Sequence, residues 1–94
     1  MFKAEFELFV NGHSPESMAA VSSMEEICRS PEFKGCSLKV INVGSNPELA
    51  SKRKVLAVPV LIMHSNGGER RVTGDLGNRA GLSVELYRWR MTAL

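Results

Sequence analysis

The sequence predicts one mixed α/β domain. A strand, a helix and a second strand are followed by another helix, an antiparallel pair of strands and a last helix. Three observations support this fold class: apolar and polar residues alternate near the start of the chain, two Pro-containing helix starts occur at Ser14–Pro15 and Asn46–Pro47, and a Gly-rich turn lies at residues 64–68. A chain of 94 residues suits one such unit, so we expect a single domain over residues 1–94.

The first strand and the first helix are predicted from the N-terminal third of the chain. Residues 4–10 alternate apolar and polar side chains, with Phe9 as the one apolar residue of the second face. Ser14–Pro15 with an acidic residue after it is typical of a helix N-terminus, and Ser30–Pro31 should end the helix. Apolar residues at intervals of three and four predict its inner side: Met18, Val21, Met24 or Ala20, Ile27 and Cys28.

The middle of the chain predicts a second strand and a short second helix. Residues 37–43 carry apolar side chains on both alternating faces, which predicts a strand inside the sheet rather than at its edge. Asn46–Pro47 and the following Glu48 predict a helix that extends to Lys54.

The C-terminal half predicts a strand pair and a helix. Pro59 lies at the entry of the third strand, residues 64–68 (HSNGG) form a turn, and residues 69–74 (ERRVTG) form the short partner strand. A helix is predicted over Ala80–Met91, with an inner stripe at Leu82, Leu86 and either Trp89 or Arg90.

This order of elements is the thioredoxin-like arrangement, with a parallel crossover first and an antiparallel pair after it. Thioredoxin-like folds commonly hold a cis proline before the third strand, where this chain has Val58–Pro59. A trans proline at a strand start is the ordinary alternative, and the sequence leaves both open.

The redox chemistry of that fold is excluded by the residues at the first strand–helix junction. Thiol–disulfide exchange needs a thiolate there, and residues 11–15 are Asn, Gly, His, Ser and Pro. His13 and Ser14 are adjacent, which does not suit a base and its nucleophile, so Ser14 is interpreted as a helix cap. We therefore expect no enzymatic activity and no cofactor.

Composition excludes several other classes. The net charge of +2 comes from basic residues spread along the chain, which argues against nucleic-acid binding. No apolar run reaches the ~20 residues of a membrane span, and the N-terminal stretch contains two glutamates, so a cytoplasmic location is expected. Cys28 and Cys36 have no metal-ligand spacing; they are two separate thiols or, alternatively, a regulatory disulfide.

Four stretches of the chain resemble the KaiB family of circadian clock proteins. They are LFVNGHSPES after the first strand, LKVINVGSNPELA in the middle, KVLAVPVL before the turn and GDLGNR before the last helix. The resemblance covers nearly the whole chain and implies a noncatalytic adaptor. Such an adaptor docks on a KaiC-type hexameric P-loop ATPase and competes with the sensory domain of a sensor histidine kinase.

The resemblance also implies particular residues. The basic positions of the family fall on Lys39, Lys54, Arg70 and Arg71, which would meet acidic groups of the ATPase; each is equally explained as a solvated surface residue. Gly74 is expected to relieve a turn and Asp75 to cap local amides.

The family is further known for two folds of one sequence, a thioredoxin-like monomer and a ground state, often tetrameric, with a rearranged C-terminal half. This chain has Glu85 and Tyr87 where switching members have Gly and Asp in the last helix. Because Gly in a helix costs up to ~1 kcal/mol, we expect the thioredoxin-like monomer to be favoured.

Three alternatives remain open from the sequence. The first is a related adaptor in a stress or signalling pathway without a clock. The second is a thioredoxin-like enzyme with a noncysteine site, which predicts glutathione binding near Val58–Pro59. The third is a homo-oligomer formed through Tyr87, Trp89 or Met91 on the last helix.

Overall fold

A computed structural model describes residues 3–65 and 68–92 of the chain. The predicted order of elements is confirmed, and the predicted turn at residues 64–68 lies partly outside the described residues. The strands are β1 (Glu5–Val10), β2 (Ser37–Asn42), β3 (Val60–Ser65) and β4 (Gly68–Val72). The helices are α1 (Pro15–Arg29), α2 (Pro47–Lys52) and α3 (Arg79–Thr92), and a single 3-10 turn covers Pro31–Phe33.

The four strands form one sheet in the order β2-β1-β3-β4. β1 pairs with β2 in parallel and with β3 antiparallel, and β3 pairs antiparallel with β4, as predicted. The prediction that β2 lies inside the sheet is wrong, because β3 takes the other side of β1 and leaves β2 at the edge. The outer edge of β2 is consequently unpaired, and Val40, which pairs with Leu8 on the side of α1, is 44% exposed.

The face of the sheet under α1 and α3 carries the larger apolar core. Alternate residues of β1 and β3 pack there against the predicted inner stripe of α3. Of the two alternatives for its third residue, Trp89 rather than Arg90 is buried in the core. Met18 was predicted to point inward and is 57% exposed. Ser17 and Ser23 are buried on that side of α1 instead, and each hydroxyl makes a hydrogen bond to the backbone of a neighbouring loop.

The opposite face of the sheet is only half covered. α2 and the chain after it pack over a small cluster at the carboxyl end of β1: Phe9, Ile41, Val60 and Ile62. α2 ends at Lys52 rather than Lys54 because Lys54 adopts a left-handed φ of 57° and the chain turns, with the Val55 N–H donating to the Ala50 carbonyl at 2.9 Å.

Two loop features position the ends of these elements. The Val58–Pro59 peptide bond is cis, which is one of the two forms, cis and trans, that the sequence left open. Gly74 has a φ of +101°, a conformation that favours glycine, and it begins the turn into α3. Asp75 contributes its backbone carbonyl to this turn, accepting the Asn78 N–H at 3.2 Å.

Candidate protein-binding surface

The junction between β1 and α1 is a hydrogen-bonded turn built from side-chain oxygens. Ser14 Oγ accepts the Ser17 N–H at 3.2 Å, which confirms Ser14 as the helix cap, and Ser17 Oγ accepts the Asn11 N–H at 2.9 Å. Asn42 Oδ1 accepts the N–H groups of Gly12 at 3.2 Å and of Gly44 at 3.0 Å. The junction therefore holds the carboxyl ends of β1 and β2 together, a structural role for Asn42 that the sequence reasoning missed.

The two thiols are both free and half-buried. Burial, and to a lesser extent the nearby Cys36, raise the pKa of the Cys28 thiol to about 11. Cys28 is therefore protonated at neutral pH and is a poor nucleophile. Within residues 3–65 and 68–92, no three His, Cys, Asp or Glu side chains are grouped so as to hold a metal ion.

The half of the sheet that α2 leaves uncovered carries polar and charged side chains; we call it the open face. In register across the four strands, one row consists of Lys39, Glu7, Ile62 and Arg71, in which Ile62 is buried and belongs to the cluster under α2. The next row consists of Ser37, Glu5, His64 and Glu69. Residues paired across neighbouring strands point to the same side, so these side chains share one surface.

Glu7 lies at the centre of the open face and is only 9% exposed. Its Oε1 lies 2.7 Å from His64 Nε2 and its Oε2 lies 3.3 Å from Arg53 Nη2. A buried carboxylate is unfavourable without such partners. Because an ionised carboxylate only accepts hydrogen bonds, His64 donates through Nε2 in this pair.

Arg71 links the open face to the end of α2. Its guanidinium donates to the backbone carbonyls of Arg53 and, at 3.2 Å, of Lys54, and its Nε lies 3.6 Å from Glu69 Oε2. Glu69 in turn lies 3.7 Å from His64 Nδ1. These side chains thus form a chain across the face from Arg53 through Glu7, His64 and Glu69 to Arg71, and each of its two arginines faces a carboxylate.

The four basic residues implicated by the resemblance do not form one surface. Lys39 and the backbone of Lys54 lie on the side of the open face, and both residues are exposed. Among the ion pairs between described residues, Arg71 takes part in one and the two lysines in none. Arg70 lies on the opposite side of the sheet, where its Nη2 is 3.6 Å from Glu85 Oε2 on α3.

These features define a thioredoxin-like domain whose redox junction has been replaced by a structural turn and whose sheet presents an open, charged face. The KaiB domain family matches residues 7–88, and the chain belongs to that family. A circadian clock oscillator protein KaiB of Prochlorococcus marinus (strain NATL2A) is 42% identical over 81 residues, which is 85% of this chain and 75% of that protein.

Solved structures extend the comparison to the fold. The N-terminal domain of Synechococcus elongatus SasA superposes with a TM-score of 0.76 at 25% identity, covering 98% of this chain and 87% of that domain. Trxlp from Edwardsiella tarda has a TM-score of 0.78 at 18% identity, covering 88% of this chain and 81% of that protein. The chain thus combines the sequence of a KaiB protein with a thioredoxin-like fold. No helix in the described part of it is long and apolar enough to cross a bilayer.

Proposed function

We propose that this protein is a noncatalytic clock adaptor that binds a KaiC-type hexameric ATPase and competes there with the sensory domain of a clock histidine kinase. One observation supports this most directly. The chain is a member of the KaiB family, yet over 98% of its length it has the fold of the SasA N-terminal domain. Two domains of the same shape can fill the same site on a shared partner, and binding of one then excludes the other.

We further propose the open face as the contact surface. Lys39 lies at its β2 edge and Lys54 on a strained turn at its other side. Both lysines are exposed, whereas the charge of Arg71 is directed to Glu69 and its guanidinium also holds the backbone at the end of α2. Exposed lysines at a contact chiefly accelerate association with an acidic partner, an effect that salt weakens. In this proposal Arg71 positions Lys54, and Arg70 lies outside the surface.

The binding-competent state in this proposal is the monomer with the fold described above. Glu85 lies within α3, where its carboxylate faces Arg70, and Tyr87 follows two residues later in the same helix. Glu85 favours the helix over the glycine of switching members, and the Glu85–Arg70 pair ties α3 to β4. A tetramer in light scattering, or amide NMR showing a strand in place of α3 in the free protein, would contradict this part of the proposal.

Size-exclusion chromatography with light scattering tests the proposed function. The protein is mixed with the KaiC-type ATPase of its own organism in the presence of ATP at low salt, and the complex is followed for hours. We expect a stoichiometric complex that Lys39→Glu combined with Lys54→Glu weakens about tenfold or more. Lys34→Glu, an exposed lysine in the connection before β2, is the matched control and should bind as the unaltered protein does. Absence of a complex, or equal weakening by the control, would contradict the proposal.

A further inference from the structure

A second surface lies on the other side of the sheet from the open face. The outer side of α3 and the neighbouring strand β4 form a shallow groove, lined by Arg70, Val84, Tyr87, Arg88 and Met91. None of these residues belongs to the open face, since Arg70 projects from β4 toward α3. A protein bound to Lys39 and Lys54 would leave this groove accessible.

The groove has an apolar ridge that the fold itself does not need. Val84, Tyr87 and Met91 are 55%, 46% and 58% exposed, while the inner stripe of α3 is already buried in the core. Spacings of three and four residues place all three on one side of the helix, along a ridge about 10 Å long. Scattered exposed apolar residues are ordinary, but three in a row beside a groove are typical of an interaction site.

The charge around this ridge is predominantly positive. Arg70 and Arg88 line the groove, and Arg90 extends its guanidinium toward the Tyr87 ring, 5.8 Å from the centroid. Glu85 is the acidic residue of α3, and its carboxylate faces Arg70 at 3.6 Å. A partner that matches this surface therefore offers apolar side chains flanked by carboxylates.

We propose that the α3–β4 groove binds an acidic amphipathic helix of a second protein partner. A straight apolar ridge beside a groove suits helix-on-helix packing, in which anchors at i, i+3 or i+4 and i+7 interdigitate with the ridge. Aspartates or glutamates on either side of those anchors pair with Arg70 and Arg88. The inference goes beyond the proposed function, because it would let the protein bridge the partner of the open face to another protein.

A second copy of this chain fits the groove less well. A twofold-symmetric contact through α3 places the same arginine-rich surface on both sides, and like charges facing each other oppose association. An anionic lipid surface offers negative charge but no ridge to interdigitate with the side chains of the groove. Both occupants are distinguishable from an acidic helix by experiment.

The test uses a fluorescein-labelled amphipathic peptide of about five helical turns, with leucines on one side and glutamates flanking them. Matched peptides carry glutamine or lysine at the flanking positions. Anisotropy titrations with the full chain should show the glutamate peptide binding about tenfold or more tightly than the lysine peptide, with an affinity that falls as salt is raised. Amide shift changes in unaltered protein should centre on α3 and β4.

Variants then locate the site. Met91→Glu and Arg88→Glu should each weaken binding of the glutamate peptide about tenfold, while Arg88→Lys keeps most of it. Met18→Glu is the matched control for Met91→Glu, because Met18 is 57% exposed, against 58% for Met91, and lies on α1. Arg29→Glu, also on α1, is the control for Arg88→Glu. Circular dichroism verifies that each variant remains folded.

Several results would overturn the inference. The glutamate peptide could fail to bind, or the lysine peptide could bind equally well. The amide shift changes could lie away from α3 and β4, or the control variants could lose as much peptide affinity as the groove variants. Binding to phosphatidylserine vesicles that is lost in Met91→Glu, without peptide binding, would assign the groove to a lipid surface. A dimer in light scattering that Tyr87→Glu dissociates would assign it to a second copy.

Discussion

The two faces of the sheet obtain their stability in different ways. Under α1 and α3 the face is mainly apolar, and the centroid of the Phe6 ring lies 6.1 Å from that of Phe33 and 6.4 Å from that of Trp89. On the other side, α2 covers a small apolar cluster, and charged groups around Glu7 cover the remainder. One small sheet thus carries an apolar core on one face and a charged, partly exposed surface on the other.

The largest expected effect comes from the apolar face. Phe6→Ala removes a side chain that is 1% exposed and should lower the free energy of unfolding by about 3–5 kcal/mol. Urea unfolding followed by circular dichroism measures this loss. Leu56→Ala, at a side chain that is 97% exposed, is the control and should remain within about 0.5 kcal/mol of the unaltered protein. A loss below about 1 kcal/mol for Phe6→Ala would show that the helix-covered face does not carry the fold.

The charged face should respond to loss of its central carboxylate. Glu7→Leu leaves His64 and Arg53 facing an apolar side chain, and we expect a loss of about 1–3 kcal/mol. Adding His64→Val removes the partner that is left unsatisfied, so the double variant should be more stable than the sum of the single changes predicts. Thermal and urea unfolding of the four proteins of this cycle give the coupling free energy. Strict additivity would mean that the Glu7–His64 contact contributes nothing.

A close approach between α1 and the loop before α3 gives a smaller expected effect. A Cβ atom at Gly77 would lie 2.8 Å from the Ala19 Cβ, so Gly77→Ala must displace the loop or the helix. We expect a loss of about 1–3 kcal/mol in unfolding experiments. Gly44→Ala is the matched control, because its Cβ would meet only the Asn42 side chain at 3.4 Å. Equal effects at the two glycines would contradict close packing at Gly77.

The smallest expected effect concerns the thiol of Cys28 and involves no loss of fold. Burial and Cys36 raise the pKa of Cys28 from 9.0 to about 11, so the thiolate appears only at high pH and the fraction present at pH 8 is about a hundredfold below that of an unperturbed thiol. In the Cys36→Ser variant, the pH at which iodoacetamide labels Cys28 should fall while staying above 9.0, since burial is the larger cause. Mass spectrometry of the protein measures the extent of Cys28 labelling at each pH. Labelling with the pH profile of an ordinary thiol would refute the shift.

Local signals in the sequence predict most of the fold. Alternation along β1, the Ser-Pro and Asn-Pro helix starts and the stripe of α3 depend on neighbouring residues, and all of them are confirmed. The edge position of β2 could not be predicted in this way, because it depends on which side of β1 is taken by β3. Met18 was assigned to the core by spacing alone, whereas buried serines with backbone partners form that part of α1.

The candidate site was predictable only in part. Glu7 meets Arg53 and His64 across 46 and 57 positions of sequence, so no local pattern indicates these charged contacts. That Arg70 and Arg71 lie on opposite sides of the sheet was predictable, because consecutive residues of a strand point to opposite faces. Treating the basic residues as one group overlooked that rule.

A competition experiment tests most directly whether this protein and a kinase sensory domain bind the same site. A fluorescently labelled SasA-type N-terminal domain is bound to the KaiC-type ATPase of the same organism, and this protein is then added. We expect the anisotropy to fall to the value of the free domain as the labelled domain is displaced, and the Lys39→Glu, Lys54→Glu double variant to displace it far less well. Unchanged anisotropy while this protein joins the same complex would mean that the two domains bind different sites, and would contradict the proposed competition.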